Sequence, residues 1–180
     1  MSEEINNTKQ QEETEDISQA NKSVEFDVTM TSGVMYDYML YHAYSTPAGI
    51  LGSCIGAMLI LMYAYNQKAM CLAFGIVLLL YIPAEMWLKS KKVVKLTPAY
   101  KKPLHYVIDN EGVTVSQDEN SQHLEWDKFV KAASTRNTII LYSGRANASV
   151  FPRKELKDKV APLIGTITEN MDPKKVKIKW

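Results

Sequence analysis

The chain has 180 residues, a formal net charge of +1 and a mean hydropathy of −0.19. These averages hide a division: Met1 to Leu88 carries 3 Lys and Arg against 10 Asp and Glu, whereas Lys89 to Trp180 carries 18 against 10. The only two cysteines, Cys54 and Cys71, fall in apolar stretches at different depths, which excludes a disulfide framework and leaves both as small packing residues.

Residues 1–23 are rich in Glu, Gln, Asn, Ser and Thr with almost no apolar side chains, so a disordered acidic leader is expected. Its polar start is unlike a secretory signal, which needs a basic opening followed by an apolar core, and no cleaved signal is expected. Residues 24–30 (VEFDVTM) alternate apolar and polar side chains, predicting a half-buried strand with Val24, Phe26, Val28 and Met30 on one face. A lone strand is not stable, and nothing upstream pairs with it, so its partners must lie far along the chain.

Residues 31–46 have helical spacing, and Tyr36, Tyr38, Tyr41 and Tyr44 suit an interfacial aromatic belt. In that setting Tyr41 and His42 read as hydrogen-bonded spacers rather than a ligand pair. Residues 47–88 then form the most informative feature of the sequence. Two apolar stretches, Pro47 to Tyr65 and Met70 to Leu88, flank a turn of four residues. At a rise of roughly 1.5 Å per residue each spans about 28 Å, the thickness of a bilayer's hydrocarbon core, and the pair reads as a transmembrane helical hairpin. Gly49, Gly52, Ser53, Gly56 and Ala57 make overlapping small-xxx-small patterns, which let helices approach closely in lipid. Packing against the second span is their simplest use, and a homodimer through Gly49, Gly52, Ser53 and Gly56 is the alternative. Glu85 is the one acid in the spans; it lies near an interface, within reach of Lys89 at i+4.

Residues 89–102 hold Lys89, Lys91, Lys92, Lys95, Lys101 and Lys102, whereas the turn between the spans holds only Lys68. Basic excess at membrane ends marks the cytoplasmic side, so both termini are expected there, with the basic half favoured beside an anionic leaflet. From residue 103 the period changes to two. HYVID, VTVS, HLEW, FVKAAS, TIILYS and ASVF are separated by turn residues, an antiparallel meander with Glu111-Gly112 as a turn needing positive φ. Tyr106, Ile108, Leu124 and Trp126 should anchor its core, with Asp127 accepting a backbone or indole hydrogen bond. Pro152 ends the last strand and places Arg153 and Lys154 at the sheet edge as headgroup contacts or as charges that block edge pairing. A helix starting near Asp158 to Ala161, with Pro162 in its first turn, carries a stripe of Val160, Leu163, Ile164, Ile167 and Met171 that closes a two-layer domain over residues 103–171. In the tail, residues 172–180, Lys174, Lys175, Lys177 and Lys179 alternate with Val176, Ile178 and Trp180. That pattern fits an anionic membrane surface, a frayed and solvated basic tail, or an added edge strand.

Two apolar spans followed by Tyr106-Val107-Ile108-Asp109-Asn110-Glu111-Gly112-Val113, Leu124-Glu125-Trp126-Asp127, Ile139-Ile140-Leu141-Tyr142 and Val150-Phe151-Pro152-Arg153-Lys154 resemble the YcxB-like family of bacterial membrane proteins. The resemblance covers roughly residues 25–171. It implies an α+β membrane protein in which a transmembrane hairpin is inserted after the first strand of a small antiparallel, pleckstrin-homology-like sheet closed by a C-terminal helix. It supplies no catalytic mechanism.

The residues themselves argue against an enzyme. His42, His105 and His123 are scattered, with no cysteine or paired carboxylate at metal-ligand spacing, and there is no phosphate loop or nucleophile elbow. No cofactor, no metal and no nucleic-acid partner are expected, since the basic residues lack interleaved stacking aromatics. The function read from the sequence is a cytoplasmic docking or scaffold module anchored in the bacterial cytoplasmic membrane, with membrane lipid and an unidentified protein as partners. The alternatives are a resistance or immunity protein against a bacteriocin or toxin, and a small transporter component using Glu85.

Overall fold

A computed structural model describes residues 23–144 and 147–179, so most of the acidic leader and Trp180 lie outside the described residues. The chain divides into two compact units. One holds residues up to 29, 102–134 and 139 onward; the other holds residues 30–101 and 135–138.

The first unit is built from strands whose alternation is written in the sequence. Strand β1 (Val24–Val28) buries Val24, Phe26 and Val28 and exposes Glu25 and Asp27. It pairs antiparallel with β2 (Leu104–Ile108), Phe26 opposite Tyr106 and Val24 opposite Ile108, so the strand preceding the apolar helices finds its partner after them. β3 (Gly112–Gln117) and β4 (Asn120–Glu125) extend the sheet in the order β1-β2-β3-β4. The short 3-10 turn Trp126–Lys128 ends this sheet. A second sheet follows, β5 (Lys131–Ser134), β6 (Thr138–Tyr142), β7 (Ala148–Pro152) and β8 (Val176–Lys177), in the order β7-β6-β5-β8. The expected single meander is therefore two four-stranded sheets, because the turn at Trp126 interrupts pairing between β4 and β5.

Between them sits the core. Phe26 and Tyr106 stack across the first sheet at 5.8 Å, and Phe151 from β7 meets both rings edge-on at 5.3 and 5.0 Å. Such aromatic pairs add to the burial energy of each side chain, roughly 1.5–3 kcal/mol apiece. After the short helix α4 (Arg153–Leu156) comes α5 (Val160–Asn170), with Pro162 in its first turn as expected. Leu163, Ile164 and Ile167 are buried, and Met171 just beyond the helix joins the same cluster with Leu156 and Phe129. Tyr106, Ile108 and Trp126 are in this core, and Leu124 is half-buried against it.

Two local expectations are corrected. Among the described residues no glycine has positive φ, so Gly112 is not a left-handed turn residue. A Cβ there would lie 2.1 Å from the Leu124 carbonyl oxygen, so glycine is needed for the close approach of β3 to β4. Asp127 pairs with Lys128 at 2.9 Å instead of binding the indole, whose N–H donates to the Asp109 carbonyl at 3.0 Å. The Asp127 carboxylate raises the Lys128 pKa above its ordinary value.

The second unit is helical. In α1 (Ser32–Tyr44) the Thr31 hydroxyl caps the first turn by accepting from the Val34 amide. Burial, and then the neighbouring Tyr100, raise the Tyr38 phenol pKa. α2 (Pro47–Asn66) starts with Thr46 as cap and Pro47 in its first turn, and Gln67 stops it with φ of 58°. α3 (Ala69–Leu96) carries Pro83 within it and does not stop at the predicted span end, Leu88; nothing between Leu88 and Pro98 breaks its helix, and Thr97 before that proline turns extended. Both α2 and α3 are long and apolar enough to cross a membrane, and only 11% and 6% of their most apolar windows are buried in the chain. Helices of a soluble core bury that surface.

The small-residue stripe divides by position. Cβ atoms at Gly56 and at Gly75 would meet the opposite helix backbone at 3.2 and 2.8 Å, so these two glycines set the α2–α3 contact. At Gly49 a Cβ would lie 2.1 Å from the Ala43 carbonyl oxygen, which fixes the tight α1–α2 corner, and the Ser53 hydroxyl donates to the Gly49 carbonyl at 2.9 Å. Nothing lies within 4 Å of a Cβ at Gly52.

Candidate functional site

In the sheet unit, the free edge of β1 is covered by side chains from the α4–α5 segment. Glu155 accepts a hydrogen bond from the Thr29 amide at 2.8 Å, and the Lys159 ammonium donates to the Glu25 carbonyl. These contacts satisfy backbone groups that an open edge would offer to another strand. The covering is partial and leaves open grooves on both sides of Lys159. One, about 580 Å³, is lined by Glu25, Lys159, Pro162, Gly165, Thr166 and Glu169 among others. The other, about 550 Å³, is lined by Phe26, Asp27, His105, Glu155 and Lys157, with Glu25 and Lys159 shared.

Chemically the grooves are mixed in charge. Asp27 and His105 stand directly opposite each other in the β1–β2 register, and the His105 Nδ1 lies 2.8 Å from the Asp27 carboxylate. Both side chains are well exposed, so the pair is a surface feature. Among the described residues no cluster of three or more His, Cys, Asp or Glu is arranged to hold a metal.

The predicted surface residues separate into two kinds. Arg153 does not stand free at a sheet edge: its guanidinium donates to the Lys179 carbonyl, and its Nε is buried. Lys154 is exposed on α4. In the tail, Val176 pairs in parallel with Ala132 and Lys177 with Ala133, while the Lys179 amide donates to the Ser134 hydroxyl at 2.8 Å. Val176 and Ile178 pack against the core, so the alternation has a strand's explanation: apolar side chains go inward and Lys177 and Lys179 outward. Lys174 lies in the turn before β8, its amide donating to Asp172, and the Lys175 ammonium reaches the Phe129 carbonyl at 3.5 Å. Trp180 lies outside the described residues.

In the helical unit, Glu85 is ion-paired with Lys89 at 2.7 Å, one helical turn away. The Asp37 carboxylate gathers the residues of the turn that joins β5 to β6. It accepts from the hydroxyls of Thr135 and Thr138, the latter at 2.6 Å, and from the Asn137 amide at 3.4 Å.

Sequence reasoning missed the grooves, because their lining comes from segments over 100 residues apart. The signal available was the outward phase of β1 and β2, in which Asp27 and His105 sit at corresponding polar positions. It also missed Gly75, the sole glycine of the second apolar span.

A search of curated proteins finds no match to this chain. Residues 108–163, from the end of β2 into the first turn of α5, match the family model described as YcxB-like protein. The chain thus carries a YcxB-like domain over residues 108–163, preceded by two helices long and apolar enough to cross a membrane.

Proposed function

We propose that the protein is a docking module held at the cytoplasmic face of a bacterial membrane, with the helical hairpin as its anchor and no catalysis of its own. The observation that carries this reading is the split construction of the sheet unit. β1 precedes the two apolar helices, β2 follows them, and the two strands pair in register. A domain threaded this way is tied by both ends of its hairpin, a sound arrangement for holding a binding surface near the bilayer. The exposure of Leu51, Met58, Leu61, Val77 and Leu80 supports lipid as the surrounding of that hairpin. The lysines that follow Leu88 support a cytoplasmic sheet unit.

The grooves beside β1 are the surface through which a protein partner docks. Their acidic and basic side chains lie around apolar Phe26, Leu156 and Pro162, the mixture that gives orientation as well as contact. A photo-crosslinker placed at Glu25 in the full-length protein in living cells tests this. A discrete adduct from Glu25, absent from the exposed β4 position Gln122 and abolished by Gly165→Trp, is expected. Equal labelling at both positions, or an adduct indifferent to the tryptophan, contradicts it.

A further inference from the structure

The helix α3 continues without interruption for two turns beyond the end of its apolar run at Leu88. Lys89, Lys91, Lys92 and Lys95 lie in that extension. At 3.6 residues per turn they share the arc opposite Ser90, which is fully buried, and all four are exposed. Lys89 is neutralised by Glu85 at 2.7 Å. Among the described residues no carboxylate pairs with Lys91, Lys92 or Lys95.

These three lysines are helical neighbours, 91 with 95 at i,i+4 and 92 with 95 at i,i+3, and like charges at such spacing repel. An anion seated among them relieves that repulsion. The Lys91 ammonium already lies 3.4 Å from the centroid of the Trp87 ring, a residue type that prefers the headgroup level. Depth is the second constraint. With Leu88 at the hydrocarbon boundary, Lys91 to Lys95 stand roughly 4–10 Å beyond it, and the headgroup layer is about 5–7 Å thick on each side. Lys91 and Lys92 therefore fall at the level of the lipid phosphates, and Lys95, just beyond that layer, leans back toward it because helical side chains point toward the helix N-terminus.

We infer that Lys91, Lys92 and Lys95 form a binding face for the headgroup of an anionic phospholipid. This rests on the membrane reading above. The face is distinct from the tail lysines, whose backbone is committed to the β5 edge.

The full-length protein, reconstituted in nanodiscs of phosphatidylcholine with a minor fraction of phosphatidylglycerol and extracted gently, is tested by native mass spectrometry for the lipids it retains. The wild type is expected to retain phosphatidylglycerol preferentially, and K91Q/K92Q/K95Q to lose about tenfold or more of that preference. K174Q/K175Q/K177Q/K179Q is expected to keep it. Equal preference in wild type and the α3 triple variant, or loss in the tail variant alone, overturns the assignment. Competition by millimolar inorganic phosphate also overturns it, in favour of a soluble anion. If the triple variant does not fold, Glu85→Gln decides: freeing Lys89 must raise the preference, and no change refutes the face. Alkaline carbonate extraction of membranes from cells expressing the wild-type protein separates the two readings. Release of the protein sinks the membrane reading, whereas retention without lipid preference sinks only this one.

Discussion

The Trp126 indole donates a hydrogen bond to the Asp109 carbonyl at 3.0 Å, so the residue that ends the first sheet also closes the turn between β2 and β3. Its ring lies 5.7 Å from that of Phe129, in the same core cluster. Trp126→Phe keeps most of the apolar contact and loses the bond, at a cost of about 1 kcal/mol. Trp126→Ala removes both and costs about 3–5 kcal/mol. Urea unfolding of the full-length protein in micelles, followed by amide exchange of the β2–β3 strands, measures both; equal effects from the two substitutions would show that the hydrogen bond, not the ring, carries the stability.

Glycines 112 and 165 make a paired test of what each absence of a side chain accomplishes. At Gly112 a Cβ meets the Leu124 backbone, which cannot yield as a flexible side chain does, so Gly112→Ala should cost about 1–3 kcal/mol and disturb the β3–β4 pairing. A Cβ at Gly165 meets nothing within 4 Å in the middle of α5. Gly165→Ala should therefore stabilise the sheet unit by about 0.5–1 kcal/mol, as an alanine in an open helix interior does. Melting temperatures shifting in the same direction for both would refute this contrast.

How much of this was legible beforehand follows from the range of each interaction. Alternation in VEFDVTM and HYVID is local, so the strands and their buried faces could be read, and β1, with nothing upstream to pair with, had to find its partner beyond the apolar helices; that the partner is β2 came only from the structure. The reason for Gly112 could not, because it depends on where the Leu124 carbonyl sits across the sheet. The tail shows a second kind of ambiguity. Alternating lysine and apolar residues suit a membrane surface and an edge strand equally, and only the bonds to Ala132 and Ser134 place the backbone in the second sheet. Gly49, Gly52 and Gly56 are equivalent as a pattern, but their neighbours differ: the α1 backbone at Gly49, Gly75 at Gly56, open space at Gly52.

That difference gives the hairpin its own test. Gly56→Leu and Gly75→Leu should each force α2 and α3 apart and lower thermal stability in micelles, with a cost of about 1–3 kcal/mol for the overpacking. Gly52→Leu should leave the hairpin intact. If the open stripe at Gly52 is a homodimer contact, crosslinking of tagged copies in the membrane will fall in Gly52→Leu without loss of folding; crosslinking that survives will place any dimer elsewhere.

The central claim is that the hairpin crosses the membrane with the sheet unit inside. Replacing Cys54 and Cys71 by alanine clears the background, and single cysteines are then introduced at Gln67, in the turn between α2 and α3, and at Ser116, in β3. A membrane-impermeant maleimide applied to intact cells should label the Gln67→Cys protein and should reach Ser116→Cys only after permeabilisation. Labelling of Ser116→Cys in intact cells, or a Gln67→Cys protein that reacts only after permeabilisation, would contradict the account.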